Sequence, residues 1–200
     1  MSPEDFARAF NVSRETISRL QAYHDLLVKW QKAINLVSPK TLEDIWERHF
    51  ADSAQLAAHI PENTKVADLG SGAGFPGLVL AVMRPDLEIH LVESDSRKCE
   101  FLKNVSRETK TKVQVHSDRV ENALAGIGPG YITARAFAPL EELLGLIPES
   151  CRGAPLLLLK GRQALEEATA AARKFDFDME DFSSLTDPDA RILKIIFRHK

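Results

Sequence analysis

A glycine-rich stretch that follows a short apolar run constrains this chain more than any other feature. Residues 66–69 (Val-Ala-Asp-Leu) are typical of a buried strand, and an apolar helical run begins at Leu78. Four glycines lie between them, at Gly70, Gly72, Gly74 and Gly77. Glycine accepts positive φ and lets a ligand approach the backbone, and the free N–H groups of the following helix point at the same place. The stretch therefore predicts a nucleotide-like ligand.

Two ligands fit this loop. Gly72, Gly74 and Gly77 match the G-x-G-x-x-G dinucleotide pattern, with Glu93 about 20 residues further on, which would indicate an NAD-binding oxidoreductase. Asp68-x-Gly70-x-Gly72-x-Gly74 instead matches the first motif of methyltransferases that use S-adenosylmethionine. A carboxylate at the end of the strand would repel a pyrophosphate and suit a cationic ligand. Asp68 therefore favours the methyl donor, and the dinucleotide remains the alternative.

Composition limits the partners of the chain. Its 200 residues suit one α/β domain with an appendage, and a net charge of −3 argues against a globally basic nucleic-acid binder. No apolar run approaches the roughly 20 residues of a membrane span, and residues 1–5 do not resemble a signal peptide. Cys99 and Cys151 have neither disulfide nor metal-site spacing. We expect a cytoplasmic, metal-free monomer without a membrane partner, and any RNA contact must come from a local basic patch.

The pattern changes near residue 60. Residues 1–60 predict a helical extension, with one helix that begins after Ser13 and ends before Pro39. A second helix is expected from a capping box at Thr41 to about His59. Residues 61–200 predict a methyltransferase domain that uses S-adenosylmethionine.

Strands and helices alternate from Lys65 onward, which is typical of βαβ units around a parallel sheet. Seven strands are expected, at 66–69, 88–93, 112–116, 131–135, 155–160, 175–179 and 191–197. The last two read as an antiparallel hairpin, which a dinucleotide fold with its second mononucleotide half does not need. The predicted fold is α/β, a Rossmann-like class I methyltransferase sheet, mostly parallel and closed by that hairpin.

Ligands of open α/β sheets bind outside the carboxyl ends of the strands. Glu93 ends the second strand, where a carboxylate can accept hydrogen bonds from both ribose hydroxyls. Residues 117–121 follow the third strand and would border the adenine. The fourth strand ends at Arg135 and the fifth at Lys160, positions that normally face the acceptor. The amine-methylation signature is absent after strand four, and neither cysteine is placed to act as a nucleophile. An acceptor that already carries a lone pair remains.

Five blocks occur in one order along the chain, and they cover nearly all of it from about Leu26: Asn35-Leu36-Val37, Arg48-His49-x-x-Asp52-Ser53, Asp68-Leu69-Gly70-Ser71-Gly72-Ala73-Gly74-Phe75-Pro76-Gly77, Arg135-Ala136-Phe137-Ala138 and Lys160-Gly161. Together they resemble the bacterial small-subunit ribosomal RNA guanine-N7 methyltransferases, also called glucose-inhibited division protein B. The resemblance implies that S-adenosylmethionine donates a methyl group to N7 of a guanine in 16S ribosomal RNA. The partner would then be this RNA or the small ribosomal subunit.

The resemblance also implies site residues. The cofactor positions of the family fall on Gly70, Phe75, Val120, Glu121 and Arg135. With the residues derived above, the expected cofactor site comprises Asp68, Gly70, Gly72, Gly74, Phe75, Glu93, Val120, Glu121 and Arg135.

No catalytic base is expected, because guanine N7 has a free lone pair. Arg135 and Lys160 would position the acceptor, and the expected RNA contacts are Arg48, His49, Lys160 and Arg162. The alternative is a methyltransferase that acts on a small molecule or a protein.

Overall fold

A seven-stranded sheet runs through the computed structural model, which describes residues 1–198. The strands are β1 (Lys65–Leu69), β2 (Glu88–Glu93), β3 (Gln114–Ser117), β4 (Tyr131–Arg135), β5 (Leu156–Lys160), β6 (Phe177–Ser183) and β7 (Arg191–Phe197). Their order across the sheet is β3-β2-β1-β4-β5-β7-β6. Strands β1 to β5 pair in parallel, and β7 pairs antiparallel with both β5 and β6. The predicted mostly parallel sheet with an antiparallel terminal hairpin is confirmed.

Within residues 1–198, eight α-helices connect and cover these strands. They are α1 (Pro3–Phe10), α2 (Arg14–Gln31), α3 (Asp52–Ala54), α4 (Gly77–Met83), α5 (Ser96–Glu108), α6 (Val120–Ile127), α7 (Leu140–Leu146) and α8 (Ala164–Ala171). Ser13 caps α2 as predicted, since its hydroxyl oxygen accepts a hydrogen bond from the Thr16 backbone N–H at 3.1 Å. Among residues 1–198, no helix combines the length and the apolar character needed to cross a bilayer.

The predicted helix that starts at Thr41 is wrong in its first part. A short 3₁₀ turn spans Pro39–Thr41, and the next helical segment begins at Trp46 with a π-helical turn that ends at Ala51. Thr41 does not cap a helix, because its hydroxyl donates to the Ser38 carbonyl at 2.8 Å and also contacts a histidine ring. A π-turn inserts an extra residue into the helical register and is frequent at functional sites.

The hairpin strand β6 also differs from its prediction. The apolar alternation at 175–179 predicted an early, short strand, whereas β6 spans Phe177–Ser183. Its register runs from Phe177 opposite Phe197 to Ser183 opposite Arg191, so the length of β6 follows that of its partner strand.

Two hydrophobic clusters cover the two faces of the sheet. Side chains of the N-terminal helices (Phe6, Leu20 and Leu27) lie in the same cluster as Leu78 of α4 and Phe101 of α5. The other cluster gathers side chains from α6, α7 and α8. Residues 1–60 and the sheet therefore share one core face.

The register of the central strands brings four chain segments to one edge. Leu69 lies opposite Val92 of β2 and Ala134 of β4. The residues that follow these positions, Gly70, Glu93 and Arg135, therefore meet at the carboxyl end of the sheet. Ala134 lies opposite Leu158 of β5, which brings the end of that strand to the same edge.

Candidate active site

A cavity of about 840 Å³ lies at the carboxyl ends of β1, β2 and β4. This volume is within the range of small-molecule sites, roughly 300–1,000 Å³. Seven of the nine expected cofactor residues line it: Gly70, Gly72, Phe75, Glu93, Val120, Glu121 and Arg135. The N-terminal extension also contributes to the wall, with Leu36, Val37, Ser38, Thr41 and His49.

The glycine loop forms the floor of this cavity. Gly70 and Gly72 have φ of +60° and +54°, in the left-handed region that favours glycine. A Cβ added to Gly72 would meet nothing closer than 3.6 Å, so the backbone there is open to a ligand. On Gly70 the added Cβ would lie 2.0 Å from a ring carbon of Phe137, whose side chain rests on the glycine backbone.

Gly74 lies outside the cavity, although it belongs to the expected cofactor set. Its φ is +93°, and an added Cβ would lie 2.5 Å from both the Tyr23 hydroxyl and a methyl group of Leu78. The Tyr23 hydroxyl donates a hydrogen bond to the carbonyl of Ala73 in the loop. Gly74 is therefore a packing glycine that lets α2 lie against the loop.

Asp68 also lies away from the cavity, which corrects the expectation that its carboxylate faces a ligand. The side chain is fully buried; Oδ1 accepts from the Thr133 hydroxyl at 2.8 Å and Oδ2 from the Gly77 backbone N–H at 3.2 Å. Burial raises the pKa of Asp68 from 3.8 to about 7. Asp68 therefore joins β1, β4 and the start of α4.

This arrangement argues against a dinucleotide. In dinucleotide-binding folds the pyrophosphate lies on the free N–H groups at the start of the helix that follows the glycine loop. Here the Gly77 N–H at that position already donates to a carboxylate of the same chain.

Glu93 is 7% exposed and forms part of the cavity wall. Its Oε2 accepts from the Gly72 backbone N–H at 2.9 Å, and its Oε1 from the Asp95 N–H at 2.8 Å. Each carboxylate oxygen offers two lone pairs. One lone pair on each oxygen therefore remains for a donor group of a ligand, such as a ribose hydroxyl.

Arg135 is the most constrained charged residue of the site. Its Nε lies 3.3 Å from Asp52 Oδ2, its Nη2 donates to His49 Nδ1 at 2.8 Å, and its guanidinium carbon lies 5.5 Å from the centre of the Phe75 ring. Its Nη1 is buried and has no hydrogen-bond partner within residues 1–198. Burial lowers the pKa of Arg135, and Asp52 opposes that effect. A buried donor without a partner is costly, so Nη1 is the group from which we expect a ligand contact.

His49 is buried beside Arg135 and lines the first cavity, so the expected RNA contact stays a prediction. Burial, with help from the Arg135 and Arg48 charges, lowers the pKa of His49 to about 3, so the ring is neutral. Since Nδ1 accepts from Arg135, the proton lies on Nε2, which donates to the Thr41 hydroxyl at 2.8 Å. The ring also stacks on Phe75, 4.9 Å between centroids. His49 is placed to orient Arg135.

A second cavity of about 530 Å³ lies beyond the ends of β4 and β5. Arg48 and Asp187, the latter in the loop between β6 and β7, lie on its wall and form an ion pair at 3.3 Å. Lys160 is also on this wall, but its Nζ donates to the Ala138 carbonyl at 2.6 Å and to Glu167 Oε2 at 2.8 Å. Lys160 is thus held by its own fold, whereas the structure leaves Arg162 exposed and outside both cavities.

The two cavities meet at one short segment. Arg135, Ala136 and Phe137 line both of them. A ligand in the first cavity and a ligand in the second would therefore approach each other across the end of β4.

Metal and thiol chemistry have no support in the described part of the chain. Within residues 1–198, no three His, Cys, Asp or Glu side chains are grouped so that they could hold a metal ion. Cys99 and Cys151 are buried and line neither of these two cavities.

The strand order, the antiparallel last strand and the cavity between a glycine loop and the carboxylate that ends β2 define a class I, Rossmann-like methyltransferase. Solved structures support this fold. A TehB-like methyltransferase from Corynebacterium glutamicum has a TM-score of 0.56 at 12% identity, over 90% of this chain and 100% of that one. A precorrin-6y C5,15-methyltransferase from Geobacter metallireducens has a TM-score of 0.53 at 10% identity, over 83% and 92%.

The chain belongs to the family described as rRNA small subunit methyltransferase G, whose model matches residues 16–192. The ribosomal RNA small subunit methyltransferase G of Paramagnetospirillum magneticum is 51% identical over 198 residues, 98% of this chain and 95% of the relative. The corresponding protein of Rhodospirillum centenum is 51% identical over 193 residues, 96% of this chain and 88% of the relative. The resemblance seen in the five sequence blocks is confirmed.

Proposed function

We propose that this protein transfers a methyl group from S-adenosylmethionine to N7 of a guanine in 16S ribosomal RNA. The observation that carries the proposal, beside membership of the family, is the contact between the two cavities at Arg135, Ala136 and Phe137. The first cavity suits the donor, the second suits the acceptor base, and the methyl group crosses between them.

The residues of the first cavity fit the donor. Gly72 leaves its backbone open, and Glu93 keeps one lone pair on each oxygen beside it. Glu121 adds a second carboxylate at the start of α6, so two acidic side chains face a donor that carries an ammonium and a sulfonium. S-Adenosylmethionine supplies the methyl group and is released as S-adenosylhomocysteine.

The second cavity requires positioning rather than proton transfer. Guanine N7 presents a lone pair, so no side chain needs to remove a proton before the attack. Alignment of two bound reactants alone contributes up to roughly 7–11 kcal/mol in ideal cases. In this proposal Nη1 of Arg135, a buried donor without a partner in residues 1–198, donates to the guanine O6, which lies beside N7 on the same edge of the base.

The base becomes cationic when N7 is methylated, and the half-buried Asp52 carboxylate offsets positive charge on that side. It lies 3.3 Å from the Arg135 Nε and also accepts from the Thr186 hydroxyl at 3.0 Å. Asp52 therefore partly neutralises the Arg135 charge and fixes the guanidinium beside a second positive charge.

RNA binding would depend on a local basic patch at the second cavity. In this proposal Arg48, which lines that cavity, and the exposed Arg162, two residues after Lys160 of its wall, contact phosphates. Because few phosphates can be neutralised by so few side chains, RNA affinity should fall with salt along a shallow slope. We propose that the protein acts as a monomer in the cytoplasm.

The test uses the full chain, tritiated-methyl S-adenosylmethionine and three acceptors: small ribosomal subunits, naked 16S RNA and a cell extract without RNA. The proposal predicts label in the RNA and mass mapping to a single 7-methylguanine. Label in protein or small molecules, with none in RNA, would favour the alternative methyltransferase. Calorimetric binding of NAD but not of S-adenosylmethionine would reject methyl transfer altogether.

A matched pair of arginine variants tests the site. Arg135→Lys keeps a cation beside Asp52 but lacks the guanidinium fork, so we expect turnover to fall strongly while the fold remains intact. The guanidinium carbon of Arg152 also lies over a phenylalanine ring, 5.2 Å from the centre of Phe197, and Arg152 lines neither cavity. Arg152→Lys should keep normal turnover. Equal turnover in the two variants would remove Arg135 from the site.

A further inference from the structure

The Phe137 ring lies on the glycine loop at the boundary between the two cavities. A Cβ built on Gly70 would fall 2.0 Å from Cδ2 and 2.7 Å from Cε2 of this ring, so the ring fills the space directly over the Gly70 backbone. Ala136, which precedes it, has φ of +47°, a conformation that non-glycine residues rarely adopt. The Phe137 side chain is half-buried and lines both cavities.

The other aromatic ring of the site is held very differently. Phe75 stacks between Tyr23 and His49, at 5.5 and 4.9 Å between ring centroids, and it lies under the Arg135 guanidinium. Phe137 pairs with no aromatic ring anywhere in residues 1–198. One ring is therefore held between other rings, whereas Phe137 packs at the edge of the cluster formed by α6, α7 and α8 and borders both cavities without a stacked partner.

The position over Gly70 cannot hold a donor and this ring together. Gly70 lines the first cavity, where the proposed function places S-adenosylmethionine. A donor that lies on the backbone of Gly70 must displace the ring that covers it, and the second cavity is the other space that Phe137 lines.

We propose that Phe137 positions the acceptor: donor binding moves its ring off Gly70 into the second cavity, where it stacks on the target guanine. The inference rests on the proposed function and adds an order of binding to it. The donor binds first, because the stacking surface for the guanine forms when the donor is in place. Any base has a π-face that can stack on an aromatic side chain. Arg135 then selects the edge of the base, and Phe137 fixes its plane.

The inference predicts coupling between the two ligands. If the donor releases the ring for the RNA, then bound donor strengthens RNA binding, and RNA strengthens donor binding by the same factor. Loss of the ring should remove this coupling. It should also leave the donor bound at least as tightly as in the wild type, since there is no longer a side chain to displace.

The experiment measures the affinity of the full chain for unmethylated small ribosomal subunits, with and without the unreactive S-adenosylhomocysteine, for the wild type, Phe137→Leu and Phe137→Trp. We expect Phe137→Leu to lose roughly 5- to 150-fold in RNA affinity in the presence of S-adenosylhomocysteine, as removal of one base–aromatic stack does. Its affinity for S-adenosylhomocysteine alone should be unchanged or higher. Phe137→Trp should restore RNA affinity and coupling.

Phe182→Leu provides the matched control. Phe182 is also a half-buried phenylalanine, but it lies in β6 against His59, away from both cavities. This variant should keep both affinities, and thermal unfolding should show that all variants are folded. If Phe137→Leu keeps RNA affinity and coupling, or if it loses donor affinity instead, the inference is overturned. Should the wild type itself fail to bind S-adenosylmethionine or to methylate RNA, the proposed function fails first, which is a different result.

Discussion

The variant Asp68→Asn would distinguish a structural role of the Asp68 carboxyl group from a role in ligand binding. The side chain is fully buried between the Thr133 hydroxyl and the Gly77 backbone N–H. Asparagine has nearly the same shape, so its carbonyl can accept from Gly77 while its amide donates to the Thr133 oxygen. Asp68→Asn therefore removes an ionisable proton and keeps both contacts.

The magnitude follows from the pKa of Asp68, which burial raises from 3.8 to about 7 in the folded protein. Between these two values the folded state binds more protons than the unfolded chain, so the free energy of unfolding falls as the pH rises. The Asp68→Asn variant has no proton to lose there. From about pH 5.5 to about pH 8.5 the wild type should lose roughly 2 kcal/mol relative to the variant, at about 1.4 kcal/mol for each pH unit below the pKa.

Urea unfolding followed by the fluorescence of Trp30 and Trp46, at both pH values, measures this difference. Asp86→Asn is the control: the pKa of Asp86, lowered to about 2 mainly by its hydrogen bonds with Arg84, leaves that group ionised throughout the range. The difference between wild type and Asp86→Asn should therefore not change with pH. A pH-independent difference for Asp68→Asn as well would refute the reasoning.

Donor affinity gives the second part of the test. Because Asp68 lies behind the glycine loop and does not line the cavity, we expect Asp68→Asn to bind S-adenosylmethionine as tightly as the wild type in calorimetry. A strong loss of affinity in a folded variant would instead restore the direct contact that the sequence predicted.

Three further predictions concern donor binding and stability, RNA binding, and the pH dependence of turnover. Gly70→Ala should abolish donor binding and lower the melting temperature. The new Cβ would lie 2.0 Å from an aromatic carbon, and a φ of +60° costs a non-glycine residue about 1–2 kcal/mol. The control Gly126→Ala, with open space around it in α6, should be at least as stable as the wild type. Lys160→Met should destabilise the fold by about 1–3 kcal/mol, since Glu167 and a carbonyl lose the ammonium group that donates to them. Arg162→Ala should instead weaken RNA binding with no change in melting temperature. The reverse pattern would contradict both assignments. The pH profile of turnover should show no contribution from His49 between about pH 5 and 8, because the ring is already neutral there. A limb of the wild-type profile in this range that disappears in His49→Gln would contradict this.

Much of the fold was accessible from the sequence because its signals are local. The apolar runs at 88–93, 131–135 and 191–197 match the observed strands residue for residue. The glycines at 70 and 72 both have positive φ, and Gly72 leaves its backbone open, which a local glycine pattern encodes. The same holds for the carboxylate at the end of β2, since its place at the cavity follows from strand order alone.

The partners of buried polar groups were not accessible in this way. His49 contacts an arginine that is 86 positions away, and Lys160 is held by a carbonyl 22 positions away. Composition and spacing show that these side chains are polar, but not whether another part of the chain satisfies them. In the sequence, Arg48, His49 and Asp52 fall within about one helical turn, which indicates a polar cluster. The spacing does not show whether that cluster faces solvent or another part of the chain.

The hydrogen bond from Tyr23 to the carbonyl of Ala73 has a consequence for protein engineering. A glycine loop is commonly treated as a portable motif, yet the shape of this one is held by a helix whose Tyr23 lies 50 residues before Ala73 in the chain. Transplanting residues 65–77 into another α/β protein would transfer the sequence of the motif but not the Tyr23 hydroxyl that holds its shape. A working graft needs α2 as well, or a substitute donor at the same point above Gly74.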